Sequence, residues 1–188
     1  MHDPAFQPFE VEWTDAPPAE VSRSVLQHHW RQLADWSSAR WTLPLAVVRA
    51  EHVVGIQSVS GRDFAALREV STGSWLGLEH QGQGTGTEMR AAVLHLAFAG
   101  LGALSAISGA YTDNEASLAV SHKLGYADDG IERHVRRGQQ ATLQRLRLTR
   151  HIWQVHRGVE VTIEGLEPCM SMFGLDGEAP GPVMSTTD

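Results

Sequence analysis

Gln81-Gly82-Gln83-Gly84-Thr85-Gly86 sets three glycines at alternate positions just ahead of an apolar set with helical spacing. Without a Cβ, glycine lets the backbone come close to a ligand and take conformations that other residues resist. Met89, Ala92, Val93, Leu96 and Ala97 then fall at i, i+3, i+4, i+7 and i+8, one buried face of a helix. The first turn of such a helix offers unpaired N–H groups and the positive end of the dipole, so these residue types suit a diphosphate. Two common nucleotide loops do not fit. Counting GxGxxG from Gly82 puts the third glycine at Thr87, and no Gly-Lys-Ser/Thr follows. On the loop alone, a glycine-rich turn before an ordinary core helix is an equally simple reading.

A second stretch, Asp113-Asn114-Glu115-Ala116-Ser117 through Leu124-Gly125-Tyr126, has the pattern N-x-x-S-x-x-x-x-x-x-L-G-[YF]. The loop, read as Q-x-x-G-x-G, resembles the coenzyme A pyrophosphate loop of the GNAT superfamily of N-acyltransferases. The second stretch is similar to an element that follows the strand bordering the cofactor cleft in that superfamily. Thr87-Glu88 resembles the Rim-type branch, which contains the ribosomal-protein N-acetyltransferases. The two motifs come in the right order, each after a strand, and the resemblance covers about residues 43–150.

The resemblance implies an α/β acyl-CoA N-acyltransferase fold. That is a twisted, mainly antiparallel mixed sheet with helices on both faces and a V-shaped split between two central strands. It implies transfer of an acyl group from acyl-CoA to a primary amine of a protein or small molecule, with acetyl-CoA as the default donor. Succinyl or another acidic acyl group is the runner-up, since arginines are available to bind a carboxylate. Backbone groups of Trp75, Leu76 and Leu78 would line the pantetheine arm and acyl carbonyl, and Gln81, Gly82, Gln83, Gly84, Thr85, Gly86 and Thr87 the pyrophosphate. Asn114 would hold the cofactor or the splayed strand, and Ser117 would give a proton to the departing sulfur. Each has a simpler role beside this one: Ser117 as a hydroxyl satisfying a helix-terminal backbone group, Asn114 as a helix cap. No general base stands out among Glu69, Glu79, His80 and Glu88. Glu88 in the first helical turn would also complement the dipole.

These residues need elements to hold them. Residues 1–18 carry Pro4, Pro8, Pro17 and Pro18 with three aromatics, which suits an extended, packed-down arm. A helix begins after Pro18, with Val21, Val25, Leu26 and His29 on one face. Trp13, Trp30, Trp36 and Trp41 are either core and edge packing or an aromatic wall for an acceptor. Leu43–Glu51 and Val53–Ser60 read as an antiparallel strand pair, Asp63–Arg68 as a helical turn, and Arg68–Leu78 as a strand with Gly73 as an irregularity. Leu104–Tyr111 reads as a central strand, followed by a helix that Gly125 closes. Ile131–Gly138 and Ala141–Ile152 form a hairpin, and the alternation of Val159, Val161 and Ile163 predicts a further strand. Relatives usually begin with a strand and helix where this chain has its proline-rich arm, so truncation there is an open alternative.

At 188 residues the chain is expected to form one domain over 1–174, with 151–174 extending past the shared core to complete the sheet, cover the cleft or form a subunit interface. Residues 175–188 read as a disordered tail. A net charge of −7 argues against broad binding to nucleic-acid phosphate. No apolar run approaches the roughly 20 residues that span a bilayer, and the start, MHDPAFQPFEVEW, lacks the regions of a secretory signal. The default compartment is the cytoplasm, and a homo-oligomer is one expected state. The single cysteine, Cys169, excludes an intramolecular disulfide, and ten histidines without a paired ligand spacing predict no metal. A CoA-binding regulatory module without turnover is the rival reading from another class. A mere structural or interaction domain is the remaining one.

Overall fold

Period-two apolar runs become six strands, which order as β1-β2-β3-β4-β6-β5 in one sheet. The computed structural model describes residues 6–9, 11 and 13–175. β1 (Arg40–Arg49) and β2 (His52–Arg62) pair antiparallel through a two-residue turn at Ala50 and Glu51, both at positive φ. β3 (Glu69–Leu76) pairs antiparallel with β2 in unbroken register, Ser58 facing Gly73, so Gly73 is not a bulge. Its lack of a Cβ instead gives room to Ser58, whose hydroxyl donates to the Gly73 carbonyl at 3.0 Å.

β4 (Ser105–Tyr111) joins β3 in parallel through only Glu69↔Ser105, Val70↔Ala106 and Ser71↔Ile107. β6 (Gln139–Thr149) pairs antiparallel with β4 and with β5 (Ala127–Arg136), whose hairpin turns at Arg137 and Gly138. The sheet is therefore two antiparallel three-stranded halves held together by one short parallel seam.

The helices follow their sequence signals. α1 (Pro18–Ala34) starts with proline in its first turn, where no intrahelical N–H is needed. α2 (Phe64–Leu67) is a single turn between β2 and β3. α3 (Thr85–His95) continues as one wide π turn, Leu96–Gly100. α4 (Glu115–Lys123) is capped by Asn114 and closed before Gly125, at φ +92°. Among the described residues no helix is long and apolar enough to cross a membrane.

α3 supplies the centre of the core: Val93, Leu94, Ala97 and Phe98 are buried with Val59, Val70, Ala106, Leu146 and Leu148. A second cluster at one end is aromatic. Trp41 meets Phe64 and Phe173 edge to face and Trp36 stacks on it. Trp30, by contrast, is exposed on α1. The tryptophans thus divide between core and surface, and only Trp13 and Trp75 reach the cleft described below.

Two expectations for the carboxyl-terminal region need correction. The last strand ends at Thr149 rather than Ile152, because the Thr149 hydroxyl accepts from Ile152 N–H at 3.4 Å and so opens α5 (Arg150–His156). Val159, Val161 and Ile163 lie in no strand. Alternation reports an extended segment, and here that segment crosses the end of α3. A Cβ placed on Gly100 would sit 3.1 Å from Ile163 and 2.7 Å from Leu166, which shows how closely they pack there. A 3₁₀ stretch, Glu167–Phe173, then carries Phe173 into the aromatic cluster. Leu175 is buried in the core, and the rest of the expected tail lies outside the described residues.

Candidate active site

After Ser71↔Ile107 the two central strands separate, and a cavity of about 1120 Å³ opens between them. Its walls are β3 from Ser71 to Leu76, Ser108 to Ala110 of β4, the glycine loop, the first turns of α3 and α4, one side of α1, and the amino-terminal arm. The arm is fastened rather than loose. The buried Gln7 side chain donates to Thr14 and Asp15 at 2.9 and 3.0 Å, Arg136 donates to the Gln7 carbonyl at 3.0 Å, and Arg137 pairs with Asp15.

The glycine loop is built to receive something. Gly82 and Gly84 stand at φ +70° and +85°, conformations that disfavour a side chain, and a Cβ added at either would meet nothing within 4 Å. Thr87 and Glu88 N–H both bond the Gly84 carbonyl, which leaves the amides of Thr85 and Gly86 at the open end of the α3 dipole. The loop's shape is braced from behind. Gln81 donates to the Leu76 carbonyl at 3.0 Å, Gln83 donates to the Glu79 carbonyl at 2.8 Å, and Arg49 reaches Gln83 at 2.8 Å and Thr85 at 3.2 Å. An open cradle of amides with a cation beside it fits a diphosphate.

Of the residues picked from sequence, Trp75, Leu76, Gln81, Gly82, Gly84, Gly86, Thr87, Asn114 and Ser117 all line the cavity. Gln83 and Thr85 do not; they hold the loop through Arg49, and Leu78 sits exposed on a 3₁₀ turn beside it. Asn114 does act as a cap, its side-chain oxygen accepting from Ser117 N–H at 3.2 Å. That leaves the Ser117 hydroxyl with no hydrogen-bond partner among the described residues, at the cavity wall, so it does not serve as a helix-terminal bond.

None of the four residues weighed as bases lines the cavity. Glu69 is tied to Arg147 and accepts from Ser105 at 2.6 Å, and Glu79 lies 3.6 Å from His80. The titratable groups that do face it were missed: His28, His29 and Arg31 on α1, Arg90 on α3, and Lys123 on α4. Among the described residues no Asp or Glu joins them. His28 is exposed on α1, and partial desolvation first, then His29 and Arg31, shift it below the ordinary histidine value and so favour its neutral form. Its signal was readable only once α1 was known to lie against the cleft.

Arg90 is 5% exposed and spans the closed end of the split. It donates to Ser74 at 3.0 Å, Ser121 at 3.2 Å and Ser108 at 3.5 Å, while its Nε has no partner. Burial pushes its pKa down. Among the described residues no group of three His, Cys, Asp or Glu is placed to hold a metal.

The family model of an acetyltransferase (GNAT) domain matches residues 1–127. Among solved structures, the chain is similar to a probable acetyltransferase at 23% identity, over 76% of this chain and 80% of that one, with a TM-score of 0.61. RimJ of Mycobacterium smegmatis in complex with CoA-disulfide matches at 18% identity over 76% and 68%, with a TM-score of 0.63. A spermidine N-acetyltransferase SpeG chimera from Vibrio cholerae and hSSAT matches at 14% over 71% and 82%, with a TM-score of 0.60.

Proposed function

The chain belongs to the GNAT acetyltransferase family, and from that premise we propose that it transfers an acyl group from acyl-CoA to a primary amine, in the cytoplasm, within the cleft between β3 and β4. The observation that carries this reading is the loop at Gly82 and Gly84, left-handed, unobstructed and at the mouth of a split sheet. Acyl-CoA is the substrate that supplies a thioester carbon and a thiolate to leave.

The protein's own part is positional and protonic. The loop amides seat the diphosphate, and the β4-facing side of β3 past Ser71, apart from the Leu76 carbonyl that Gln81 occupies, offers backbone groups to the amides of the pantetheine arm. Holding donor and amine together supplies catalysis by orientation. As the amine nitrogen bonds to the acyl carbon and the carbon–sulfur bond breaks, the proton leaving nitrogen goes to the neutral imidazole of His28. The sulfur takes up a proton from Ser117 Oγ, whose hydroxyl is committed to no other partner among the described residues, and the proton gained by His28 returns to Ser117 through solvent, so both side chains end the cycle as they began it.

The acceptor side favours some amines over others. A polyamine such as the substrate named for SpeG is a polycation, and among the described residues the charged groups that line this cavity are cationic or histidine. That part of the wall suits a protein amino terminus or a neutral-bodied amine better than spermidine. Acetyl is the default acyl group for a chain of this acetyltransferase family. Thiol release from acyl-CoA over a panel of peptides and small amines tests the proposal. Turnover with at least one amine is expected, and CoA binding with no amine-dependent thiol release would favour the regulatory-module reading.

A further inference from the structure

We propose that Arg90 makes the closed end of the cleft a carboxylate subsite, so that the preferred donor is the CoA thioester of a dicarboxylic acid such as succinate. This rests on the acyl-CoA reading above. Three features of the site carry it.

The first is charge without a counter-charge. A buried cation is costly unless it meets an anion, and buried arginines are accordingly paired. Arg90 is 5% exposed, yet among the described residues its hydrogen-bond partners are three serine hydroxyls and none is a carboxylate. Tyr126 is the other charge-bearing group in its field, and burial holds that phenol well above its ordinary range, hence neutral.

The second is the state of the hydroxyls. Ser108 donates to the Thr72 carbonyl at 3.2 Å and Ser121 to the Ser117 carbonyl at 3.0 Å, so both present only lone pairs to the guanidinium. Ser74 has no such commitment among the described residues, and its proton is available to a carboxylate. The Arg90 Nε is itself enclosed and has no partner, so the guanidinium is underbonded as well as uncompensated.

The third is position. β3 and β4 last pair at Ser71↔Ile107, and Arg90 bridges Ser74 and Ser108 just past that point. The glycine loop lies at the other end, beyond Leu76. A donor seated on the loop and running back along β3 brings its acyl group past Trp75 to Ser74, and a group ending in a second carboxylate continues to Arg90. Ser74, Arg90 and Ser108 all line the cavity.

The test is calorimetric titration of the intact protein with free CoA, butyryl-CoA and succinyl-CoA, the last two matched in chain length. Succinyl-CoA should bind about 10- to 150-fold tighter than butyryl-CoA, the range expected of a hydrogen bond to a charged group. Arg90→Met should erase that preference while free CoA binds as before, and Arg90→Lys should keep part of it. Should Arg90→Met not fold, Ser74→Ala in its place should reduce the preference several-fold. Equal affinities of the wild type for the two thioesters, or a preference that survives in Arg90→Met, would overturn the proposal. Failure of free CoA to bind would sink the acyl-CoA reading and this one together, whereas CoA binding without preference removes only the carboxylate subsite.

Discussion

Ser117 and Asn114 sit three residues apart at the start of α4, and the proposed roles predict opposite vulnerabilities for them. Asn114 accepts from Ser117 N–H at 3.2 Å, so Asn114→Ala removes a cap and should cost about 1 kcal/mol of stability. For a chain of this size that lowers Tm by about 2–4 °C. The Ser117 hydroxyl bonds nothing among the described residues, so Ser117→Ala should leave Tm where it was. Its cost falls on the reaction instead. Losing a positioned proton donor lowers kcat by about 10²–10⁴-fold, equivalent to about 2.7–5.4 kcal/mol at roughly 1.36 kcal/mol per decade. Steady-state thiol release, acyl-CoA titration and a thermal melt on the two variants read all three quantities. For Ser117→Ala the expected pattern is a large fall in kcat, an acyl-CoA Kd within a few-fold of wild type, and an unchanged melt. Near-normal turnover in Ser117→Ala would refute the assignment and leave the sulfur to water or a backbone amide.

The loop carries a second expectation. Gly84→Val places a β-branched residue at φ +85° and fills the open face of the cradle, so CoA affinity measured by calorimetry should drop at least ~10-fold while the fold persists. Equal affinities would take the loop out of the site. His28 gives a pH signature. Its pKa is lowered, so its neutral form survives below the usual histidine value of 6.5, and once kcat/KM is divided by the fraction of neutral amine, the remaining acid limb should fall only below that pH. His28→Asn should remove the limb along with most of the rate, and an unchanged profile in that variant would clear His28 of the role. Asp113, next to the cap, is held below its ordinary value by a side-chain bond from Arg136. A depressed carboxylate contributes stability that is present above its unfolded pKa, near 3.8, and lost as pH falls through the lower folded value. Tm should therefore decline more steeply below about pH 4 in the wild type than in Asp113→Asn, and identical acid limbs would exclude the pair as a source of stability.

The parts of this molecule legible in its sequence are those where one local pattern has one physical outcome. Alternate glycines ahead of an i, i+3, i+4 set could only become a tight loop and a helix, and the strand pair around Glu51 and the stop at Gly125 follow from equally local chemistry. The misses share a different cause. Thr149 looks like one more strand residue until its hydroxyl is seen to cap α5, and Val159 to Ile163 alternate although no strand lies alongside to pair with them. Arg90 belongs to a helix whose apolar spacing it does not disturb, so nothing local says that it points into a split between strands. His28 lies one residue before His29, which the spacing puts on the apolar face of α1, and its place on the cleft depends on how α1 docks. Local order was readable; what each side chain faces was set by distant segments.

The aromatic cluster around Trp41 also says something about the order of events in folding. Trp36 donates to the Met172 carbonyl across 136 residues of chain, and Trp41 is closed over by Phe173 with ring centroids 4.8 Å apart. On the ribosome the β1–β2 hairpin emerges early, and Trp36 and Phe64 meet its largest buried indole soon after, but the Phe173 face of that indole stays uncovered until Phe173 has been synthesised. Contacts of such separation form late, after the loop between them has closed. Tryptophan fluorescence during refolding should accordingly register this cluster in the slowest resolved phase, and a nascent chain stopped short of Phe173 should leave Trp41 open to an aqueous quencher.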